Sequence, residues 1–91
     1  MAVGLYFGSA SFTPGQYDQT IQQLEAAGAG APAGRLYHFA LEADGQIRVL
    51  DVWESEESSQ AFGATLIPIL TSLGAEAGEP QVAVVRNVIE G

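Results

Sequence analysis

The chain has 91 residues, 47% of them apolar, no cysteine, and a net charge of −8 from eleven acids against three arginines. That length suits one small domain able to bury about 60% of its unfolded surface without a disulfide or structural metal. The apolar fraction excludes intrinsic disorder, and the missing cysteines exclude disulfides, thiolate chemistry and cysteine-based zinc sites.

The acidic balance argues against nucleic acid and anionic membrane surfaces, since phosphate binding needs a basic footprint. No apolar run approaches the ~18 residues of a membrane span. The start of the chain, Met1 to Phe7, has no basic segment of the secretory kind, so a cytoplasmic location is expected.

In chain order, Ala2 to Phe7 alternates loosely and predicts a strand, with Ser9 to Phe12 as a loop. Thr13, Pro14 and Gln16 then stand at the N-cap, first-turn proline and capping-box positions of a helix. Tyr17, Ile21 and Leu24 fall on one face of it, and Gly28 can end it. The Ala/Gly-rich stretch 26–34 predicts a flexible connection within one domain, 1–91, because neither side is large enough to fold alone. Arg35 to Glu42 and Gln46 to Trp53 predict two strands around Asp44-Gly45, a pair suited to the positive φ angles of a type I′ hairpin turn.

The second helix begins at Ser55 as N-cap, with Glu56 and Glu57 favoured at the positive end of the helix dipole. Its apolar stripe is Phe62, Leu66, Ile69, Leu70 and Leu73, and Gly74 caps it. Pro68 inside the stripe predicts a kink or a split near Leu66. A loop over Glu76 to Glu79 leads to a last strand over Gln81 to Ile89. The order β-α-β-β-α-β predicts a ferredoxin-like α+β sandwich, a four-stranded antiparallel sheet with both helices on one face.

Counting outward from a two-residue turn pairs Glu42 with Ile47, Ala40 with Val49, His38 with Asp51 and Leu36 with Trp53. One face then carries Leu36, His38, Ala40, Val49, Asp51 and Trp53, and the other Tyr37, Phe39, Leu41, Arg48, Leu50 and Val52. Neither face is polar enough to stand in water, yet two helices cover only one. A homodimer packing its open sheet faces together is therefore expected, the alternative being a monomer screened by its tails and the Ala/Gly connection.

The run Val49-Leu50-Asp51-Val52-Trp53-Glu54-Ser55, followed by Glu56-Glu57, Ala61-Phe62 and Leu66-Ile67-Pro68, resembles the dimeric α/β-barrel superfamily. Within it, the likeness is to antibiotic biosynthesis monooxygenase-like domains, and with the element order it spans essentially the whole chain. The resemblance implies a ligand between sheet and helices near the strand-end tryptophan, here Trp53. It also implies oxygenase chemistry on polycyclic or quinol-like aromatics without metal or flavin. The haem-degrading branch uses a histidine on the second helix and an asparagine on the first strand. Phe62 stands near the first position and Ala2 to Phe7 holds no asparagine, so neither haem nor another cofactor is expected.

His38 is the single histidine, and Asp51 across the hairpin would fix its tautomer and raise its basicity. That pair suits a general base removing a phenolic proton, the step that prepares an electron-rich aromatic for dioxygen. Alternatively the two polar groups only satisfy one another. Trp53 could stack on a flat ligand or close the core, and Tyr6, Tyr17, Tyr37 and Phe62 could wall an aromatic pocket or be plain core. Arg48 and Arg86 suit ion pairs, and Glu54, Glu56 and Glu57 suit helix capping, so no metal site is expected. There is no glycine-rich phosphate loop. Two functions follow: a cofactor-independent oxygenase or isomerase acting on an aromatic, polyketide-like molecule, or a non-catalytic dimer that binds a small ligand or a partner.

Overall fold

A computed structural model of the chain describes residues 1–8 and 11–91. Of the expected loop before the first helix, Ser9 and Ala10 lie outside the described residues. The elements run β1 (Val3–Phe7), α1 (Pro14–Ala26), β2 (Arg35–Ala43), β3 (Gln46–Trp53), α2 (Glu56–Ser72) and β4 (Gln81–Val84). The strands form one antiparallel sheet in the order β2-β3-β1-β4. This is the ferredoxin-like α+β arrangement, with both helices on one face. No helix is long and apolar enough to cross a membrane among the described residues.

Local chemistry accounts for the helix ends. Thr13 Oγ1 accepts from the Gln16 N–H at 3.2 Å and the Gln16 side chain accepts from the Thr13 N–H at 3.0 Å, a complete capping box. The Gln16 amide also donates to Leu73 O at 3.1 Å, tying the start of α1 to the end of α2. Both helices stop in Schellman motifs: Ala29 N–H returns to Leu24 O at 2.8 Å, and Ala75 N–H to Leu70 O at 3.0 Å. The reversals fall on Gly28 (φ 74) and Gly74 (φ 73), where a side chain would be strained. Gly74 thus stands one place beyond the cap residue, Leu73.

The hairpin turns on Asp44 (φ 54) and Gly45 (φ 74), and its pairing follows the two-residue count from Ala43↔Gln46 to Tyr37↔Val52. Beyond Tyr37 it departs from that count. The register shifts between Arg35 and Tyr37, so Arg35, and not Leu36, stands opposite Trp53. Leu36 is the extra residue of a β-bulge and is half exposed.

Three other expectations change. The 26–34 stretch is not a free connection: Ala29 packs on the core, and Gly34 O accepts from the Glu54 N–H at 2.8 Å. Pro68 does not split α2, which runs unbroken over 17 residues. Its ring removes the bond to the carbonyl of Ala64, but both residues are exposed and water can satisfy that oxygen. Finally β4 ends at Val84, opposite Val3, the first residue of its partner strand; Val85 N–H bonds Ala2 O at 2.9 Å and the chain leaves the sheet.

Gly34 deserves a test of its own, since it fixes where β2 begins. Its φ is 86°, and a Cβ built there would stand 2.5 Å from Ser58 Oγ. Gly34→Ala is expected to destabilise the fold by about 1–3 kcal/mol, read as a lowered urea midpoint with unchanged slope. An unchanged midpoint would show that the loop rearranges freely.

The helix-covered face holds the core in two clusters. One is Phe12, Ile47, Val49, Leu70 and Ala75; the other is Leu5, Leu24, Trp53 and Phe62. The opposite face leaves Phe39 49% and Leu41 58% exposed. Residues 85–91 cross part of that face. Val85 approaches Gly4 and Glu90 accepts from the Tyr37 hydroxyl at 2.6 Å. Gly4, Val52 and Tyr37 form one row across β1, β3 and β2, so the segment spans the sheet over Val52, which is only 6% exposed.

Candidate functional site

The most developed chemistry lies between the sheet and the helices. His38 projects from β2 toward the helices and Asp51 from β3 beside it, as their direct cross-strand pairing dictates. His38 Nδ1 lies 2.5 Å from Asp51 Oδ1, and Nε2 lies 2.7 Å from the hydroxyl of Tyr17 on α1. A buried carboxylate accepts from Nδ1–H, which leaves Nε2 as the acceptor of the phenolic proton. The result is a chain Tyr17–His38–Asp51 with each hydrogen bond used once. The Tyr17 and His38 rings run nearly parallel, 3° apart, with centroids at 5.9 Å.

These three side chains line a largely apolar cavity of about 60 Å³, walled by Phe12, Phe62, Leu66 and Leu70. The Tyr17 phenol is pushed above its ordinary pKa, first by burial and then by the charges of Asp51 and Asp18, against a lowering by Arg35. It therefore stays a protonated donor at neutral pH. On the far face, the Tyr37 phenol is also raised, by its hydrogen bond to the Glu90 carboxylate, by that charge and by slight desolvation.

His38 and Arg35 also line a shallow open groove beside Ala31, Pro32 and Leu36. The His38 side chain keeps 22% of its surface exposed, so the histidine is not sealed in the core.

The residues singled out from sequence do not all meet here. His38, Asp51, Tyr17 and Phe62 line the cavity. Trp53 does not: it is 1% exposed, packed on Phe62 at 5.5 Å between ring centroids and on the Leu5 and Leu24 cluster. Tyr6 projects from the opposite face of the sheet, 37% exposed, and cannot reach the cavity. Arg48 lies on that same open face, where it donates to Ile47 O, and Arg86 is exposed beyond β4. Glu54, Glu56 and Glu57 surround the start of α2, and no group of three or more metal-ligating side chains gathers among the described residues.

Sequence reasoning missed Arg35. The bulge at Leu36 rotates it onto the helix side, where its guanidinium lies 5.8 Å from the centre of the Phe62 ring. It also missed the hydrogen-bonding role of Tyr17, although the helical spacing that aims Tyr17 at the sheet was a usable signal.

Comparison with solved structures gives a consistent class. A crystal structure from Chloroflexus aurantiacus, described as an antibiotic biosynthesis monooxygenase, superposes with a TM-score of 0.67 at 22% identity, covering 99% of this chain and 98% of that one. SnoaB from Streptomyces nogalater, a cofactor-independent oxygenase, superposes at 0.57 with 16% identity over 99% and 95%. The chain has the fold of antibiotic biosynthesis monooxygenase-like proteins. No protein-family model matches the sequence, and no curated protein is significantly similar to it.

Proposed function

We propose that the protein is a cofactor-independent oxygenase of an aromatic, polyketide-like molecule, with the Tyr17–His38–Asp51 chain as its proton acceptor. The observation that carries this reading is the chain itself, lining an apolar cavity with His38 partly exposed to solvent. A substrate proton arriving at the Tyr17 oxygen is matched by transfer of the phenol's own proton to His38 Nε2, and Asp51 stabilises the imidazolium that forms. Burial holds the Tyr17 phenol above its ordinary pKa, so Tyr17 acts as a protonated relay and His38 as the base.

The deprotonated aromatic then supplies all the electrons. It adds dioxygen at an activated ring carbon, and the resulting hydroperoxide loses water. A CH₂ group and O₂ thereby become a carbonyl and H₂O, with no external reductant. A cavity of about 60 Å³ holds dioxygen or one edge of a ring. Pockets enclosing a whole drug-sized ligand are several times larger, on the order of 300 Å³ or more. The rest of a polycycle therefore lies in the groove.

The test is oxygen consumption by flavin-free, metal-free protein with a dihydroxyanthrone, with the quinone measured as product. Stoichiometric uptake supports the reading. No acceleration over the uncatalysed rate favours the ligand-binding alternative, to which the small enclosed volume is also suited.

A homodimer through the exposed sheet face is part of this proposal. Phe39, Leu41 and Tyr6 form an apolar surface of the kind that self-association covers. Native mass spectrometry is expected to give twice 9.5 kDa; a monomer at micromolar concentration would remove the dimer.

A further inference from the structure

We infer that Arg35 is an anion-binding, specificity-determining residue at the mouth of this cavity, which selects planar aromatic ligands carrying a carboxylate or enolate beside a hydroxyl. This rests on the reading of the cavity as an aromatic-ligand site.

The chain holds three cationic side chains against eleven acids, yet the one placed beside His38 has no carboxylate within ion-pair distance among the described residues. Arg35 is partly exposed and its one side-chain hydrogen bond is open to solvent, so the guanidinium is accessible to a ligand. Its protein contacts are modest: one N–H to Gly30 O at 3.1 Å, and the face of the Phe62 ring at 5.8 Å. A guanidinium has five N–H groups in a planar fork, so most of them stay free for an oxyanion.

Position narrows the ligand further. Arg35 lines both the cavity and the groove, and so does His38. An anion held by Arg35 therefore brings its own ring edge toward Tyr17 and His38, with Phe62 and Leu66 as apolar walls. A hydroxyl next to the anionic group then faces the Tyr17–His38 hydrogen bond. The backbone arrangement that achieves this is the bulge at Leu36, without which Arg35 would face the other side of the sheet.

The experiment compares 3-hydroxy-2-naphthoate with 2-naphthol by isothermal titration calorimetry at neutral pH, first on the unaltered protein. The hydroxynaphthoate is expected to bind at least about tenfold more tightly than the naphthol, with an advantage that shrinks as salt is raised. In Arg35→Gln the preference should fall to about one while naphthol binding is kept, and Arg35→Lys should restore part of it. Equal binding of the two probes by the unaltered protein, binding of neither, or a preference that survives in a folded Arg35→Gln would overturn the assignment. Consumption of oxygen with a neutral dihydroxyanthrone is independent of these results, so failure of the Arg35 assignment and failure of the oxygenase reading are told apart.

Discussion

Replacing His38 by glutamine is expected to lower the rate of dihydroxyanthrone-dependent oxygen uptake by about 10²–10⁴-fold, the range of a lost general base. Glutamine is the informative choice because its amide N–H can still donate to Asp51, which alanine would leave as a buried carboxylate without the 2.5 Å partner it now has. The melting temperature of His38→Gln should then stay close to that of the parent, separating a chemical from a structural role. Tyr17→Phe should fall by a comparable factor, since the phenol is the group that faces the cavity and hands its proton to Nε2. Full activity in a folded His38→Gln would end the proton-relay mechanism. Full activity in Tyr17→Phe alone would mean that the substrate hydroxyl takes the phenol's place on the imidazole.

The second large effect is on stability. Trp53→Ala is expected to cost about 3–5 kcal/mol, the range for removing a buried large aromatic. Trp53 is the most deeply buried large side chain, 1% exposed, and it joins β3 to Leu5, Leu24 and Phe62. A domain of this size has only about 5–15 kcal/mol in total, so the variant should be near unfolding at physiological temperature. Urea denaturation followed by circular dichroism measures it. A loss below about 1 kcal/mol would mean that the core refills around the gap. Because Trp53 supports Phe62 from behind, a milder Trp53→Phe change is the better probe of ligand affinity, through the wall it holds in place.

The turn chemistry of Asp44-Gly45 made the central hairpin legible, and with it the pairing of His38 and Asp51, because a two-residue turn fixes every partner outward from it. That logic stopped at Leu36. No glycine or proline marks the bulge, and a leucine in a run of apolar strand residues carries no sign that it will lose its partner. The inward turn of Arg35 was therefore invisible. Trp53 shows a different limit: a tryptophan at a strand end suits a pocket wall and a core plug equally, and only packing by Leu5 and Leu24 separates them. Pro68 misled because the cost of proline depends on whether the orphaned carbonyl is wet, which hydropathy spacing does not reveal. The length of β4 depended on where its neighbour β1 runs out, a property of the pair and not of the valine-rich segment.

The segment after β4 gives the open sheet face a built-in rival. From Val85 to Glu90 it occupies the row Gly4, Val52, Tyr37, held at its far end by the Tyr37–Glu90 hydrogen bond. A tethered chain of this length acts at an effective concentration in the millimolar range, without any of the translational cost that a separate molecule meets. A second copy, or any other protein docking on that row, must first displace it. The apparent affinity of that face is therefore set by two quantities, the intrinsic fit of the partner and the fraction of time the tether is lifted.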